Sequence, residues 1–315
     1  MKQIYYKYAG CNDLEPISGD RITELMNIMA FAEAGFVVRY GTQKKDNIDS
    51  IAYVRANEQY FKAMAGIPRI WFASPYNQEM MRQCDRIATF TDTWTRMLSD
   101  GEKFSLNPNG IAWGKKVMTI PQTIEPMFFK HKTLEAQEKE MIICVTGRMA
   151  RTTYPATLVG IWPKIKKKFG AHLFVASNIN SSNNVYDFPK DAKIGGVNFV
   201  YMPSFLSLMS VMIAGQHGEE WDYCGNMKIL EAAAVGLPVI MERSRAREED
   251  FGEDYPFFVP RGAMTNPNLA DHIIERLELL VKDPHIADNY LKRASEKHNI
   301  RETSKIIAGH LNKLI

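Results

Sequence analysis

Apolar positions in the first 130 residues alternate between short β-prone runs and longer stretches with helical spacing. The helical pattern is clearest in DRITELMNIMAFAEAG, where apolar residues recur every three or four positions and Gly35 closes the segment. The runs between such stretches are rich in aromatic and β-branched residues, as strands are. They are KQIYYKYA, FVVRYG, SIAYVRAN, RIWFAS and RIATFT. Strands separated by crossover helices predict a parallel sheet, and hence a first Rossmann-like domain.

A second series of strands and helices follows MFFKHKTLEAQEKE, a polar stretch typical of a linker. It opens with MIICVTG, a continuous apolar run that suits a strand buried on both faces. The helix predicted for TLVGIWPKIKKKFG contains Pro163, which we expect to interrupt or kink it. The further predicted strands are HLFVAS, NFVYMP, VMIAGQ and LPVIME, and the further helices are GNMKILEAAAVG and the tail from NLADHIIERLELL onward. The predicted fold class is α/β, with two Rossmann-like parallel-sheet domains facing a central cleft.

Composition is that of an ordinary globular protein of 315 residues, 45% apolar and 24% charged, which is long enough for two domains. The sequence contains no run of eighteen apolar residues, which a membrane-spanning helix would need. The first residues, MKQIYYKYAG, are too polar for a secretion signal. The four cysteines are scattered without metal-binding spacing, as expected in a reducing cytoplasm. The net charge of +3 is too small to indicate nucleic-acid binding by itself. We therefore expect a cytoplasmic protein, or one of the host cytoplasm if the source is viral.

The segment CGNMKILEAAAVGLPVIM is the first candidate for chemistry. Its Gly225-Asn226 turn leads into a helix whose free N–H groups and partial positive charge suit a diphosphate. Lys228 adds a full charge, and Glu231 lies on the same helical face, where its carboxylate suits ribose hydroxyls. The alternative interpretation is an ordinary amphipathic helix with a solvated Lys–Glu pair.

The segment VTGRMARTT is the second candidate, because it follows the first strand of the second half directly. Arg148 and Arg151 come at the carboxyl end of that strand, where parallel sheets bind ligands. The planar guanidinium group bonds two oxygens of a pyrophosphate at once. A pair of surface arginines is the alternative.

Five phrases along nearly the whole chain resemble, in order and spacing, the retaining group 1 family of GT-B glycosyltransferases. They are CDRIATFTDTWTRML, KVMTIPQTIEPMFF, CVTGRMARTT, KILEAAAVGLPVI and YPFFVPRGAMTNPNLADHIIERLELLVKDPHIADNYLKRA. The resemblance implies an N-terminal acceptor domain over residues 1–135 and a nucleotide-sugar donor domain over 136–300. It also implies that a last helix, 301–315, packs back on the first domain.

The resemblance assigns roles to particular residues. It implies that Arg148, with Arg151 or Lys228, holds the donor diphosphate and that Glu231 binds the nucleotide ribose. Further donor contacts are expected at Gly19, in the loop before the first helix, and at Tyr201 and Met202, beside the nucleobase. Together with Gly225 and Asn226, these residues form the predicted donor site. The co-substrate is a nucleoside-diphosphate sugar, with UDP favoured, and no permanently bound cofactor is expected.

The sequence departs from the family pattern at three places. Tyr223 stands where the family commonly has a glutamate, and Glu219, Glu220 or Asp222 are open as substitutes, with Glu220 taken as the candidate catalytic residue. Thr153 stands where a lysine is usual, which leaves that role to Arg151. The histidine often found in the first half is missing from FASPYN, whose Ser74, Tyr76 and Asn77 are candidates for acceptor binding.

The missing histidine bears on the mechanism. An inverting transferase needs a general base in the acceptor domain, and only carboxylates such as Asp13, Glu15 or Asp20 are available there. A retaining transfer needs less, because the leaving diphosphate can accept the proton while Arg148 and Lys228 stabilise its charge. We therefore favour retention. His217 either touches the donor sugar or is an incidental surface histidine.

No metal site is expected. The acidic cluster EEWD at 219–222 is interpreted as solvated loop charges, and the DxD motif of metal-dependent transferases is missing.

The acceptor is the least determined part. A soluble glycan or another polar molecule is expected to accept a hexosyl or pentosyl group. A bacteriophage-type enzyme that modifies hydroxymethylated bases in DNA is an alternative, with basic pairs such as Lys44–Lys45 lining a groove. A noncatalytic nucleotide-sugar-binding protein is a further alternative, because Tyr223 replaces an expected carboxylate. A dinucleotide-dependent oxidoreductase is disfavoured, since neither half carries GxGxxG.

Overall fold

The computed structural model describes residues 2–8, 19–41, 49–74, 76–133, 140–147, 155–177 and 188–315. The chain divides into two compact units. The first unit comprises Met1–Ile124, Tyr223–Met227 and Lys297–Ile315, and the second comprises Glu125–Asp222 and Lys228–Glu296.

Each unit is built on a parallel sheet with helices between the strands. The strands of the described ranges are β1 Gln3–Tyr8, β2 Val37–Tyr40, β3 Ser50–Arg55, β4 Arg69–Phe72, β5 Arg86–Thr89, β6 Val117–Thr119, β7 Ile142–Thr146, β8 His172–Ala176, β9 Lys193–Gly195, β10 Val211–Ala214, β11 Val239–Glu242 and β12 Phe258–Val259. The helices are α1 Gly19–Glu33, α2 Glu58–Ala63, α3 Gln78–Gln83, α4 Asp92–Asp100, α5 Thr157–Phe169, α6 Met202–Ser207, α7 Met227–Ala234, α8 Arg245–Phe251, α9 Asp271–Lys282, α10 Asp288–Lys297 and α11 Ile300–Leu311.

The first unit holds a six-stranded sheet in the order β2-β1-β3-β4-β5-β6, and its neighbouring strands are all parallel. Tyr6 of β1 lies opposite Tyr53 of β3, and their rings stack with centroids 5.4 Å apart. The last helix belongs to this unit: α11 packs against α1, and its Ile307 and Leu311 join the same buried core as Phe31. Residues from both ends of the chain therefore complete one hydrophobic core.

The second unit holds a six-stranded parallel sheet in the order β12-β11-β10-β7-β8-β9. Numbered within the unit, this is the order 6-5-4-1-2-3 of a nucleotide-binding Rossmann sheet. The direction of strand progression reverses between β7 and β10, which are neighbours. In such sheets, ligands bind beyond the carboxyl ends of the strands at this reversal. The prediction of two Rossmann-like parallel sheets is confirmed.

Local predictions were confirmed at most elements, and the structure differs from them at three places. The helix predicted around Pro163 runs through it without interruption from Thr157 to Phe169. Pro163 is exposed on the surface of this helix. Gly19 is the first residue of α1 and does not belong to a preceding loop.

The strand predicted for NFVYMP is the third difference, and this prediction was wrong. That segment forms a 3₁₀ turn, Phe199–Tyr201, followed by α6, and the strand lies earlier, at β9. Asn198 accepts a hydrogen bond from the Val200 N–H, and Pro203 occupies the first turn of α6. Both are signals of a helix start, and they outweigh the β-prone composition of the segment.

Candidate active site

The candidate site begins at the carboxyl end of β7, next to the strand reversal of the second sheet. Gly147 follows β7 with a φ of +102°, a conformation that L side chains rarely adopt. A Cβ at this position would overlap the side chain of Lys228, from Nζ through Cε to Cδ. Lys228 comes from the first turn of α7. A glycine at 147 is therefore what lets the Lys228 ammonium lie against the end of β7.

Glu231 lies one turn further along α7 and is buried, with 6% of its surface exposed. Burial raises the pKa of the Glu231 carboxyl to about 8; Lys228 opposes this shift and Glu125 adds to it. Burial likewise lowers the pKa of the Lys228 ammonium, and Glu231 opposes that change. The charges of the two groups interact, Lys228 is half-buried and Glu231 is buried, so the expected alternative of a fully solvated Lys–Glu pair does not describe them.

This arrangement suits a phosphorylated ligand that also carries hydroxyl groups. The first turn of α7 offers backbone N–H groups, and Lys228 is a cation whose hydration is reduced by burial. A carboxylate such as Glu231 can accept hydrogen bonds from two neighbouring hydroxyls. A cation that could bind an anion and a carboxyl group that could bind hydroxyls thus lie within one turn of a single helix, at the place where α/β sheets bind ligands.

The turn before α7 belongs to the first unit. A Cβ on Gly225 would approach the Oε1 of Gln122 to 2.5 Å, so the glycine leaves room for that buried amide. His298 in turn lies close to the Gln122 backbone, its Nδ1 2.8 Å from the carbonyl oxygen. Gly225 thus has a packing role within this unit.

Tyr223, which replaces the expected glutamate, is 1% exposed in the core of the first unit. Its ring packs against Trp94 and Phe104, with centroids 5.5 and 4.7 Å away. Its hydroxyl lies 2.7 Å from Ser105 Oγ, and its carbonyl accepts a hydrogen bond from Thr91 Oγ1 at 2.6 Å. The residue therefore serves packing in a place where a carboxylate would be buried among aromatic rings.

Asp222 corrects the interpretation of the EEWD cluster as solvated charges. It is 8% exposed and accepts hydrogen bonds from Arg245 N–H and Nε, each at 3.2 Å, and from Arg261. Burial alone would raise the pKa of the Asp222 carboxyl, but the bonds from Arg261 and Arg245 hold it below its usual value. Arg261 is 39 residues away in the chain, so local sequence gives no sign of this pairing. Glu219 of the same cluster is exposed.

No protein-family model matches the sequence, and no curated protein sequence matches it. Solved structures do match along the full chain. Sucrose-phosphate synthase from Thermosynechococcus elongatus superposes with a TM-score of 0.73 at 13% identity, covering 100% of this chain and 99% of its own. A glycosyltransferase from Rickettsia africae gives 0.71 at 11% identity, covering 99% and 98%. Anabaena HepE, in complex with UDP and glucose, gives 0.71 at 12% identity and covers 100% of both chains.

The chain has the GT-B fold. Its two units each carry one of the parallel sheets of that fold, and the prediction of the fold class is confirmed. No helix in the described ranges is long and apolar enough to cross a membrane.

Several residues that the GT-B resemblance singled out fall outside what the structure describes. Arg148 and Arg151 lie outside the described residues, as do the side chain of Glu220 and the surroundings of Gly19. Of the predicted nucleobase contacts, Tyr201 is 67% exposed and ends the 3₁₀ turn, while Met202 begins α6.

The three candidate acceptor-binding residues follow β4 of the first GT-B unit. Asn77 caps α3, accepting a hydrogen bond from the Met80 N–H at 3.1 Å, and its amide also donates to Glu58. Its side chain therefore has a structural task. Ser74 and Tyr76 are half-buried, and burial raises the pKa of the Tyr76 hydroxyl.

Two residues of the candidate site were not predicted from sequence. Gly147 was visible only as the glycine of VTGR, and nothing local ties it to a lysine 81 positions later. Glu125, whose charge acts on Glu231, lies in the stretch before the predicted linker, where it accepts a hydrogen bond from the Met127 N–H at 2.7 Å.

Proposed function

We propose that this protein is a glycosyltransferase that moves a sugar from a nucleoside-diphosphate donor, with UDP favoured, to an acceptor hydroxyl. The observation that carries the proposal is the group formed by Gly147, Lys228 and Glu231 at the strand reversal of the second sheet. It combines a cation, a helix N-terminus and a buried carboxylate, which are the groups that a diphosphate and a ribose require. The GT-B fold supports the same conclusion, as does the UDP bound in HepE.

In this proposal, Lys228 and the first turn of α7 bind the donor diphosphate, and Glu231 binds the ribose hydroxyls. Arg148 and Arg151, which follow β7 in the chain, supply further positive charge to the diphosphate. Gly19, Gly225 and Asn226 border the donor, and Tyr201 with Met202 lies beside the nucleobase. Residues 136–300 form the donor domain of this scheme.

Residues 1–135 and the helix over 301–315 form the acceptor domain in the same scheme, and the acceptor is a glycan or another polar molecule. Ser74 and Tyr76 are its proposed contacts, with Asn77 positioning the turn that carries them. The transfer retains the configuration of the sugar and uses no metal. As the bond between sugar and diphosphate breaks, the acceptor oxygen attacks from the same face and its proton passes to the leaving diphosphate. Lys228 and Arg148 stabilise the negative charge that develops there, and Glu220 is the candidate for contact with the sugar.

The first experiment is thermal unfolding of the wild-type protein with UDP, GDP and ADP, followed by the same measurement on Lys228→Ala and Lys164→Ala. Lys164 is an exposed lysine of the same unit, paired with Asp271, and serves as the matched control. A ligand that binds only the folded protein raises the unfolding midpoint. We expect stabilisation by UDP that Lys228→Ala loses and Lys164→Ala keeps.

A second measurement separates catalysis from binding alone. UDP release from UDP-glucose, with glycan acceptors and with water as acceptor, is measured on the same three proteins. Release that depends on Lys228 supports the transferase. Binding of UDP without any release would favour a noncatalytic nucleotide-sugar-binding protein, and failure of every nucleotide to stabilise folded protein would refute the donor site.

A further inference from the structure

The second unit contains a pocket whose lining residues do not include Lys228 or Glu231. Its volume is about 320 Å³, at the lower end of the range of about 300–1,000 Å³ for small-molecule sites. It lies where β10, β11 and β12 end. The lining residues used below are Gln216, Trp221, Asp222, Glu242, Arg247 and Arg261. The size suits one sugar ring better than a whole nucleotide sugar.

The pocket offers hydrogen-bonding groups that are not used within the described residues. Gln216 is 3% exposed, and its Oε1 has no partner there. The Nε1–H of Trp221 is also buried without a partner among those residues. A buried polar atom without a partner costs about 1–3 kcal/mol, so a ligand that bonds to both atoms is favoured. The Gln216 oxygen accepts a hydrogen bond and the Trp221 N–H donates one, and a sugar hydroxyl can both donate and accept.

The charges of the pocket favour a neutral ligand over an anion. The guanidinium of Arg247 is buried and donates to the carbonyls of Glu242 at 2.6 Å and Gln216 at 2.8 Å. Arg261 is paired with Asp222. The carboxylate of Glu242 accepts a hydrogen bond from the Met264 N–H at 3.0 Å. Arg247 and Arg261 thus already have acceptors within the protein, as does Arg243, the third arginine of the lining, which is paired with Glu248. Little positive charge is therefore left to hold a phosphate.

We propose that this pocket binds a neutral sugar ring. Trp221, which lines the pocket, has an aromatic ring as well as its N–H, and Gln216 has a planar amide suited to hydroxyl groups. The assignment of this ring to the acceptor glycan rests on the proposed function. The preference of the pocket for a neutral sugar over an anion is independent of the proposed function.

The test follows the tryptophan indole N–H signals of the ¹⁵N-labelled full-length protein by NMR. D-glucose and N-acetyl-D-glucosamine are titrated to tens of millimolar, with glycerol, inorganic phosphate and glucose 6-phosphate as comparisons. Trp221→Phe assigns the Trp221 signal, and the other tryptophans, at 71, 94, 113 and 162, are internal controls. We expect at least one of the two sugars to move the Trp221 signal saturably and leave the other four in place.

Gln216→Met tests the partnerless amide, because it keeps the length of the side chain and removes its polar end. It should weaken sugar binding about fivefold to tenfold, the loss expected for one hydrogen bond. The remaining spectrum of each variant shows that it is folded.

The outcomes separate this inference from the proposed function. No saturable movement at Trp221 with either sugar, or equal movement with glycerol, overturns the sugar pocket. Movement with phosphate or glucose 6-phosphate but not with the neutral sugars overturns it as well. Sugar binding that persists in Lys228→Ala supports a pocket independent of the donor site. If sugar binds but no nucleotide stabilises the protein, the pocket stands and the transferase proposal fails.

Discussion

The side chain of Lys228 occupies the space in which any residue other than glycine at position 147 would place its Cβ. The two positions are 81 residues apart in the sequence, and they meet at the carboxyl end of β7. The lysine can therefore approach this strand only if position 147 has no side chain.

Gly147→Ala tests this relationship. We expect the variant to be less stable by about 1–3 kcal/mol, because alanine is strained at a φ of +102°. We also expect UDP affinity to fall more than tenfold, because Lys228 must move. Urea unfolding and nucleotide titration measure the two effects.

The matched control is Gly160→Ala. Gly160 lies in α5 of the same unit, and an added Cβ would meet nothing within 4 Å. This change should stabilise the helix by about 0.5–1 kcal/mol and leave UDP affinity unchanged. Equal UDP binding by wild type and Gly147→Ala would show that the position of Lys228 does not matter.

Glu231 predicts a particular dependence of stability on pH. Its pKa is about 8 in the folded protein and about 4.5 ordinarily, so between these values the unfolded chain has lost a proton that the folded chain keeps. Stability therefore falls as pH rises through this window. Glu231→Gln has no carboxyl group to titrate there, so its stability does not fall in this way. Relative to wild type, its free energy of unfolding should improve by more than about 1 kcal/mol between about pH 5 and pH 8.

Urea denaturation at the two pH values measures this difference, with Glu253→Gln as the control, since Glu253 is exposed in the same unit. A constant difference between Glu231→Gln and wild type across the window would show that Glu231 keeps an ordinary pKa. Glu231→Gln should also weaken UDP binding above about pH 8, where the wild-type carboxyl group is ionised and can accept hydrogen bonds from two ribose hydroxyls.

The packing of the Tyr223 ring predicts that a glutamate, usual in the family at this position, cannot be introduced without loss of stability. Tyr223→Glu should destabilise the protein by more than about 3 kcal/mol, because it places a carboxylate among Trp94 and Phe104. Tyr223→Phe keeps the ring and loses the hydroxyl that lies beside Ser105, at a cost of about 1 kcal/mol. Chemical unfolding of both variants tests the contrast. A Tyr223→Glu variant as stable as wild type would contradict the packing role.

Asp222 predicts sensitivity to acid. Its pKa is lower in the folded protein than usual, so the ionised carboxylate contributes stability that is lost as pH falls through the folded pKa. Asp222→Asn should cost about 1–3 kcal/mol near neutral pH, and the cost should shrink below about pH 4. Asp271→Asn, which breaks an exposed pair with Lys164, should cost less than about 1 kcal/mol. Equal costs for the two variants would mean that burial of Asp222 adds nothing.

Local patterns in the sequence predicted most of the fold, because strands and helices follow from the spacing of apolar residues. MIICVTG became β7, and GNMKILEAAAVG became α7 with Lys228 and Glu231 one turn apart. The error at NFVYMP arose because its β-prone composition hid the helix-start signals of Asn198 and Pro203.

The site was less predictable, because its contacts join distant parts of the chain. Neither the space that Gly147 leaves for Lys228 nor the pairing of Asp222 with Arg261 has any trace in local spacing. The same holds for Tyr223, whose aromatic partners lie more than a hundred residues earlier.

The first unit contains the last residues of the chain, with Ile307 and Leu311 of α11 in its core beside Phe31 of α1. A ribosome releases the chain from its N-terminus, so the first sheet emerges long before α11 does. The second unit, Glu125–Asp222 with Lys228–Glu296, has emerged in full once residue 296 is made, and it can close while synthesis is still under way. The half of the protein that is made first is therefore finished last, and a nascent chain stalled before residue 297 would expose the apolar face of α1 to chaperones.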